Sequence, residues 1–143
     1  MSYTDSYQAY VEGAVYSENP VRLVVALYEG TIDAVRCART YLREGNIKER
    51  SRKIDKAHRL LTELLLSLDH DKGGEISANL KRLYSYMQVR LLDANLQQKE
   101  EPLEETERLL NDLLLSWRVV AEKAENQEQH HVKQADEPCC VLM

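Results

Sequence analysis

The sequence predicts an all-α protein: an antiparallel up-down-up-down four-helix bundle with an N-terminal arm and a disordered C-terminal tail. Four stretches place apolar residues at alternating steps of three and four, which is the spacing of one helix face. Short connections containing glycine, asparagine or proline separate these stretches and make neighbouring helices antiparallel. We expect the arm at residues 1–18, the bundle at residues 19–127 and the tail at residues 128–143.

Composition and charge argue against several classes of function. The net charge is −5, and no basic cluster provides the contacts that nucleic-acid phosphates require. No apolar run approaches the roughly 20 residues of a membrane span, and the N-terminus lacks the regions of a signal peptide. Three cysteines, two of them adjacent, do not form a disulfide framework. We therefore expect a cytosolic protein with no nucleic-acid partner and no membrane insertion.

The N-terminal arm is polar apart from scattered tyrosines and valines, among them Tyr7 and Tyr10. A short helix and an extended segment lying on the bundle are both open. So short a segment is not stable as an isolated helix in water. We therefore expect the arm to depend on the bundle for its structure.

The first helix has a clear start signal. Asn19 is suited to cap it, because its side-chain oxygen can accept from a free backbone N–H, and Pro20 suits the first helical position. The helix is expected to end near Glu44, because Gly45-Asn46 is a stop and turn signal.

This helix carries two apolar stripes about 200° apart, because they are offset by two residues. One stripe comprises Val21, Val25, Tyr28, Ile32 and Val35, and the other comprises Leu23, Leu27, Gly30, Ala34 and Tyr41. A simple surface helix needs only one stripe. We interpret one stripe as core and the other as a surface for a partner or the arm, without an assignment of which is which. Gly30 costs about 1 kcal/mol relative to alanine, which indicates a close approach by another backbone.

The remaining three helices follow from the same periodicity and from their turns. The second is expected at residues 47–68 and ends at the turn 69–74, which contains two adjacent glycines. The third is expected at residues 75–98. The fourth is expected at residues 103–127, after a turn that contains proline.

The third helix repeats the two-faced pattern of the first. Besides an inner seam it carries Tyr84, Tyr86, Val89, Leu92 and Leu96. An exposed apolar groove of this kind is typical of a site for an amphipathic helix. Tyrosine suits such a groove because its ring packs while its hydroxyl stays in water. The residues alone therefore indicate a helical bundle that binds helices or disordered peptides.

No motif predicts catalysis, a metal site or a cofactor. The only Glu-x-x-His pair, Glu128 and His131, lies in the polar tail and has no second copy. An alternative function is a histidine phosphotransfer or signalling bundle that uses His58. Leu60 and Leu61 follow this histidine closely and leave little room for a phosphotransfer partner, so a solvated surface histidine explains it more simply.

The C-terminal tail loses all helical periodicity and is predicted to be disordered. Its last four residues, Cys140 to Met143, fit a prenylation box, which leaves a membrane-tethered adaptor as a further alternative. The preceding segment is acidic with a single Lys133, so it lacks the polybasic second signal that a stable anchor needs.

Several motifs with consistent spacing resemble the FliS family of bacterial flagellin secretion chaperones. They are Asn19-Pro20-x-x-Leu23-x-x-x-Leu27-Tyr28-x-Gly30-x-Ile32, Lys56-Ala57 with Leu64 and Ser67-Leu68-Asp69, Gly73-Gly74-Glu75-Ile76-x-x-Asn79-Leu80, Leu83-Tyr84-x-Tyr86-Met87-x-x-Arg90-Leu91-x-x-Ala94-Asn95, and Leu103-Glu104-Glu105 with Trp117. The resemblance covers roughly residues 5–125. The departures from the family pattern, at Asn19, Glu29 and Thr31, are mild.

The resemblance implies a non-enzymatic role. Members of this family bind the disordered C-terminal segment of flagellin in the cytosol, prevent premature polymerisation and aid its delivery to the flagellar type III export apparatus. The implied partner-binding residues are Tyr7, Tyr10, Leu23, Val25, Leu27, Tyr28, Gly30, Ile32, Leu83, Tyr84, Met87 and Leu91. The resemblance also implies that the tyrosines of the arm cover apolar bundle surface and move when the client binds. A homodimer is left open.

Overall fold

The computed structural model describes the backbone of residues 20–142 and the side chains of residues 20–127. Its helices are α1 (Pro20–Glu44), α2 (Ile47–Leu66), α3 (His70–Gln97) and α4 (Glu101–Leu142). α1 and α3 each pack against both α2 and α4, so the helices form a closed ring with α1 and α3 across its diagonal. The predicted four-helix bundle is confirmed. The predicted arm and the Asn19 cap lie outside the described residues.

Most helix boundaries agree with the sequence, and the start of α3 differs. α2 begins where expected, because the side chain of Asn46 accepts from the backbone N–H of Glu49. α3 begins at His70 and not near Glu75, because Asp69 caps it by accepting from two backbone N–H groups. Gly74 then adopts φ 52° and ψ −121°, which kinks the chain inside the helix. The glycine pair therefore bends α3 instead of preceding it.

α4 is longer than the sequence predicts. It does not end near Gln127, and its backbone stays helical to Leu142, through most of the segment predicted to be disordered. Between Pro102 and Pro138 the sequence contains no glycine or proline that would break a helix. The apolar periodicity ends near residue 127, which is why the sequence signal for the helix ends there.

The core is a single apolar cluster to which all four helices contribute. Both stripes of α1 enter it from Leu27 onward, since α2 covers one side of the helix and α4 covers the other. The interpretation that one whole stripe is left for a partner is therefore wrong for this part of α1. Its first turns, at Leu23, Val24 and Val25, and its last turn, at Tyr41 and Leu42, remain half-buried.

Ion pairs connect α1 with α4 along the interface between the two helices. Near the end of α1, the Arg39 guanidinium contacts Glu104 and Glu107 of α4, and Glu100 just before α4, at 3.1–3.3 Å. Further along, Glu29 pairs with Arg118 at 3.5 Å, and Arg22 pairs with Glu125. Within residues 20–142, no helix is both long enough and apolar enough to cross a membrane.

Candidate partner-binding site

The structure places most of the predicted site residues in the core. Those that are buried are Leu27, Tyr28, Gly30, Ile32, Tyr84, Met87 and Leu91. Leu23, Val25 and Leu83 are half-buried and pack against the edge of the core. Tyr7 and Tyr10 lie outside the described residues. Of the predicted residues that the structure describes, only the half-buried ones present surface to a partner.

Tyr28 and Tyr84 form a buried polar pair across the diagonal of the bundle. Their hydroxyl oxygens are 2.6 Å apart, and their rings meet edge-on with centroids 6.1 Å apart. Burial raises the pKa of both tyrosines above the usual value, and the hydroxyl of Tyr84 raises that of Tyr28 further. The expectation that these tyrosines keep their hydroxyls in water is wrong, because both side chains are buried and the hydroxyls share a hydrogen bond.

An apolar cavity of about 350 Å³ opens at the end of the bundle where α1 and α3 begin. Its apolar lining includes Val24, Leu68, Ile76, Leu80, Tyr84 and Trp117. Asp69 and Lys72 supply polar groups of opposite charge to the wall. This volume lies within the range of protein ligand pockets. We call this feature the end cavity.

The connection between α2 and α3 shapes one wall of the end cavity. The Ser77 hydroxyl donates to the backbone carbonyl of Asp69 at 3.0 Å, which ties the first turn of α3 to the body of the helix. Gly73 lies under this bond. A Cβ there would meet Ser77 Oγ at 1.8 Å, so the position requires glycine as long as the bond is kept.

The outward side of α3 exposes apolar side chains, as the sequence predicts. Val89, Leu92 and Leu96 are 56%, 49% and 81% exposed, and Tyr86 is 45% exposed. The Tyr86 hydroxyl donates to the Glu105 carboxylate of α4. Tyr84, which the same pattern included, is buried instead.

Sequence reasoning missed the end cavity itself. Of its lining residues, Leu68, Ile76 and Leu80 belong to predicted seams or motifs and Val24 belongs to none, and only Tyr84 is a predicted site residue. The cavity forms where the starts of α1 and α3, the end of α2 and Trp117 in the middle of α4 come together. The sequence does contain a signal for it. In an antiparallel bundle, the start of α1 at Pro20 and the turn at residues 67–74 lie at the same end.

Among the described side chains, neither His58 nor a group of metal-binding residues forms a site. His58 is half-buried on α2, and its backbone carbonyl accepts from the Gln88 amide at 3.1 Å and the Thr62 hydroxyl at 3.2 Å. In the part of the chain whose side chains are described, no three His, Cys, Asp or Glu residues are grouped to hold a metal ion.

Comparisons with known proteins agree on one family. The family model described as flagellar protein FliS matches residues 3–124. The flagellar secretion chaperone FliS of Salmonella typhimurium is 38% identical over 122 residues, which cover 85% of this chain and 90% of that protein. FliSB of Pseudomonas aeruginosa is 38% identical over 88 residues, or 62% and 70% of the two chains. FliS of Escherichia coli is 36% identical over 94 residues, or 64% and 69%.

Proposed function

The chain belongs to the FliS family of flagellar secretion chaperones and is an export chaperone, and we propose that its client is the C-terminal segment of flagellin. The observation that carries the proposal is the end cavity, which offers unfilled apolar surface at the edge of the core. A disordered segment with apolar anchors gains free energy by burying them there. In the proposal, the half-buried residues Leu23, Val25 and Leu83 add further apolar surface on α1 and α3.

The magnitudes explain why the surface extends beyond one cavity. Burying one large apolar side chain stabilises a complex by about 1.5–3 kcal/mol. Ordering each client residue costs about 1–2 kcal/mol of backbone entropy. Net affinity therefore requires several anchors. In this proposal one anchor enters the end cavity, where Tyr84 forms part of the wall, and others lie against the half-buried residues.

The proposed mechanism is shielding followed by delivery. Apolar client residues that would pack in the filament are covered by the chaperone in the cytosol, so the client does not polymerise early and reaches the flagellar export apparatus unassembled. Tyr7 and Tyr10 of the arm are proposed to cover the same surface before the client binds. Removal of residues 1–18 then tightens client binding, and unchanged affinity would contradict this role.

Co-expression with flagellin, with and without the C-terminal segment of flagellin, tests the client assignment. Size-exclusion chromatography should show a complex with intact flagellin and none with the truncated form. It also gives the oligomeric state of the free chaperone. Absence of a complex with intact flagellin would overturn the proposal.

Two matched substitutions test the end cavity. Ile76 lines the cavity and is 71% exposed, whereas Leu66 is 75% exposed and does not line it. Both tolerate glutamate without disturbing the core. Ile76→Glu should weaken binding of a flagellin C-terminal peptide at least tenfold, while Leu66→Glu should leave it unchanged. Trp117, the only tryptophan, borders the cavity, so its fluorescence reports occupancy directly.

The phosphotransfer alternative receives no support from the comparisons, since the family is one of chaperones. His58→Gln should therefore leave flagellin binding unchanged. Labelling of His58 by a phosphodonor, with no flagellin complex, would favour the alternative.

A further inference from the structure

α3 carries a second seam on the side that faces away from the core, which we call the outer seam. Its members are Ala78, Arg82, Ser85, Val89, Leu92 and Leu96. They recur at steps of four and three, the spacing with which one helix packs along another. By helix geometry they lie opposite the buried side of α3 and extend over about 27 Å.

The outer seam presents one continuous surface. Its C-terminal half exposes Val89, Leu92 and Leu96, each close to half exposed or more. Its N-terminal half contains the small residues Ala78 and Ser85, which allow close approach of a second backbone. Single exposed apolar residues are ordinary on protein surfaces, but an aligned set marks an interaction site.

The charged residues beside the outer seam indicate that its partner is acidic. Within residues 20–127, no carboxylate lies within ion-pair distance of Lys81 or Arg82, and Arg82 donates only to Asn79 and Ala78 of its own helix. By contrast, Asp93, beside the apolar half, is within 3.8 Å of Arg90. The unpaired cations lie at the N-terminal half of the seam, in a chain whose net charge is −5. An acidic group on a partner would complement them.

We propose that the outer seam docks an amphipathic helix of a second partner protein, distinct from the client. The apolar residues of that helix lie along Val89 to Leu96, and its acidic residues lie beside Lys81 and Arg82. The end cavity is lined by the opposite side of α3, at Ile76, Leu80 and Tyr84. Client and second partner are therefore bound at the same time.

A second copy of this chain fits the seam less well. A stable dimer buries about 800 Å² on each partner, which is much more than three partly exposed side chains provide.

A designed peptide probes the seam in the full-length chain. The probe has 21 residues with leucine at each core position of the heptad and glutamate at each flanking position, so like charges prevent the peptide from pairing with itself. Its counterpart carries lysine in place of glutamate. Binding is measured by calorimetry on the free chaperone and on its complex with a flagellin C-terminal peptide.

The expected result is one acidic peptide bound per chain, with the same affinity whether or not the flagellin peptide is present. Val89→Glu/Leu92→Glu should weaken binding at least tenfold, and Arg82→Glu should weaken it several-fold. Leu115→Glu, at a residue of α4 that is 64% exposed, is the control and should have no effect. The lysine counterpart should bind several-fold more weakly.

Three outcomes would overturn the inference. They are no binding of the acidic peptide, displacement of the peptide by the flagellin peptide, and concentration-dependent dimerisation that Leu92→Glu abolishes. The flagellin peptide alone tests the proposed client, so the two proposals can fail independently. Circular dichroism of each variant checks that the helical fold is retained.

Discussion

The hydroxyl pair of Tyr28 and Tyr84 is suited to a double-mutant cycle. Both hydroxyls are buried and share one hydrogen bond at 2.6 Å. Removing one hydroxyl by Tyr84→Phe leaves the Tyr28 hydroxyl buried and without this partner. Leaving a buried polar group unsatisfied costs about 1–3 kcal/mol. Tyr28→Phe should have a similar effect, because the pair is reciprocal.

The double variant is the informative member of the cycle. Replacing both partners with apolar groups of the same shape is nearly neutral. We expect the double variant to be more stable than either single variant, with a coupling energy of about 1 kcal/mol or more. At roughly 3 °C per kcal/mol for a chain of this size, each single variant should lower Tm by about 3–9 °C.

Urea denaturation followed by circular dichroism measures the free energy of unfolding for all four proteins. The slope with denaturant should be unchanged, which shows that the same surface is exposed on unfolding. Additive losses, with coupling below about 0.5 kcal/mol, would refute the reasoning. They would mean that water or another group satisfies each hydroxyl in the absence of its partner.

Three further predictions concern the ion pairs, the α2–α3 connection and alkaline pH. Arg39→Met should lower the free energy of unfolding by about 1–2 kcal/mol, because the half-buried guanidinium of Arg39 pairs with three glutamates. Arg52→Met removes one exposed ion pair within a helix and should cost under about 0.5 kcal/mol. Equal losses in urea titrations would contradict this. Gly73→Ala should destabilise by about 1–3 kcal/mol through overpacking, and adding Ser77→Ala should recover part of the loss in the same assay. Wild-type stability for Gly73→Ala would show that the contact relaxes freely. Stability should be level below the usual tyrosine pKa of about 10 and should fall above it by up to about 1.4 kcal/mol per pH unit for each buried tyrosine. The reason is that burial raises both pKa values, so the unfolded chain releases protons that the folded chain retains. The double tyrosine variant should lose this dependence, and parallel pH curves would contradict the assignment.

Periodicity and turn chemistry predict the bundle well. α1 begins and ends at the expected residues, because a proline start and a glycine stop are local signals. The start of α3 is misplaced, because two glycines are typical of a break. Here the cap at Asp69 starts the helix before them, and Gly74 supplies only a kink. Such a kink depends on the backbone dihedral angles of one residue, which residue type alone does not determine.

The candidate site is less predictable than the fold. Periodicity shows that α1 is apolar on two sides, but it does not show how many helices cover them. Tyr28 is assigned to a partner by sequence and belongs to the core in the structure. The end cavity depends on residues from α1, α3, α4 and the α2–α3 connection, and no local sequence pattern shows that these residues meet. On the outer side of α3, the exposure of Tyr86, Val89, Leu92 and Leu96 is predicted correctly, whereas Tyr84 of the same predicted set is buried.

The unequal packing of the helices has a consequence for motion. α3 packs less extensively against its neighbours than α1 does. Its described side-chain hydrogen bonds to α2 include those of Gln88 and Asn95, and Tyr86 and Arg90 connect it to α4. Amide hydrogens in such an element exchange with solvent through local opening that requires less free energy than global unfolding. We therefore expect α3, the helix that lines the end cavity and carries the outer seam, to open first, which native-state hydrogen exchange would measure. A client could then be released by loosening α3 while α1, α2 and α4 stay folded.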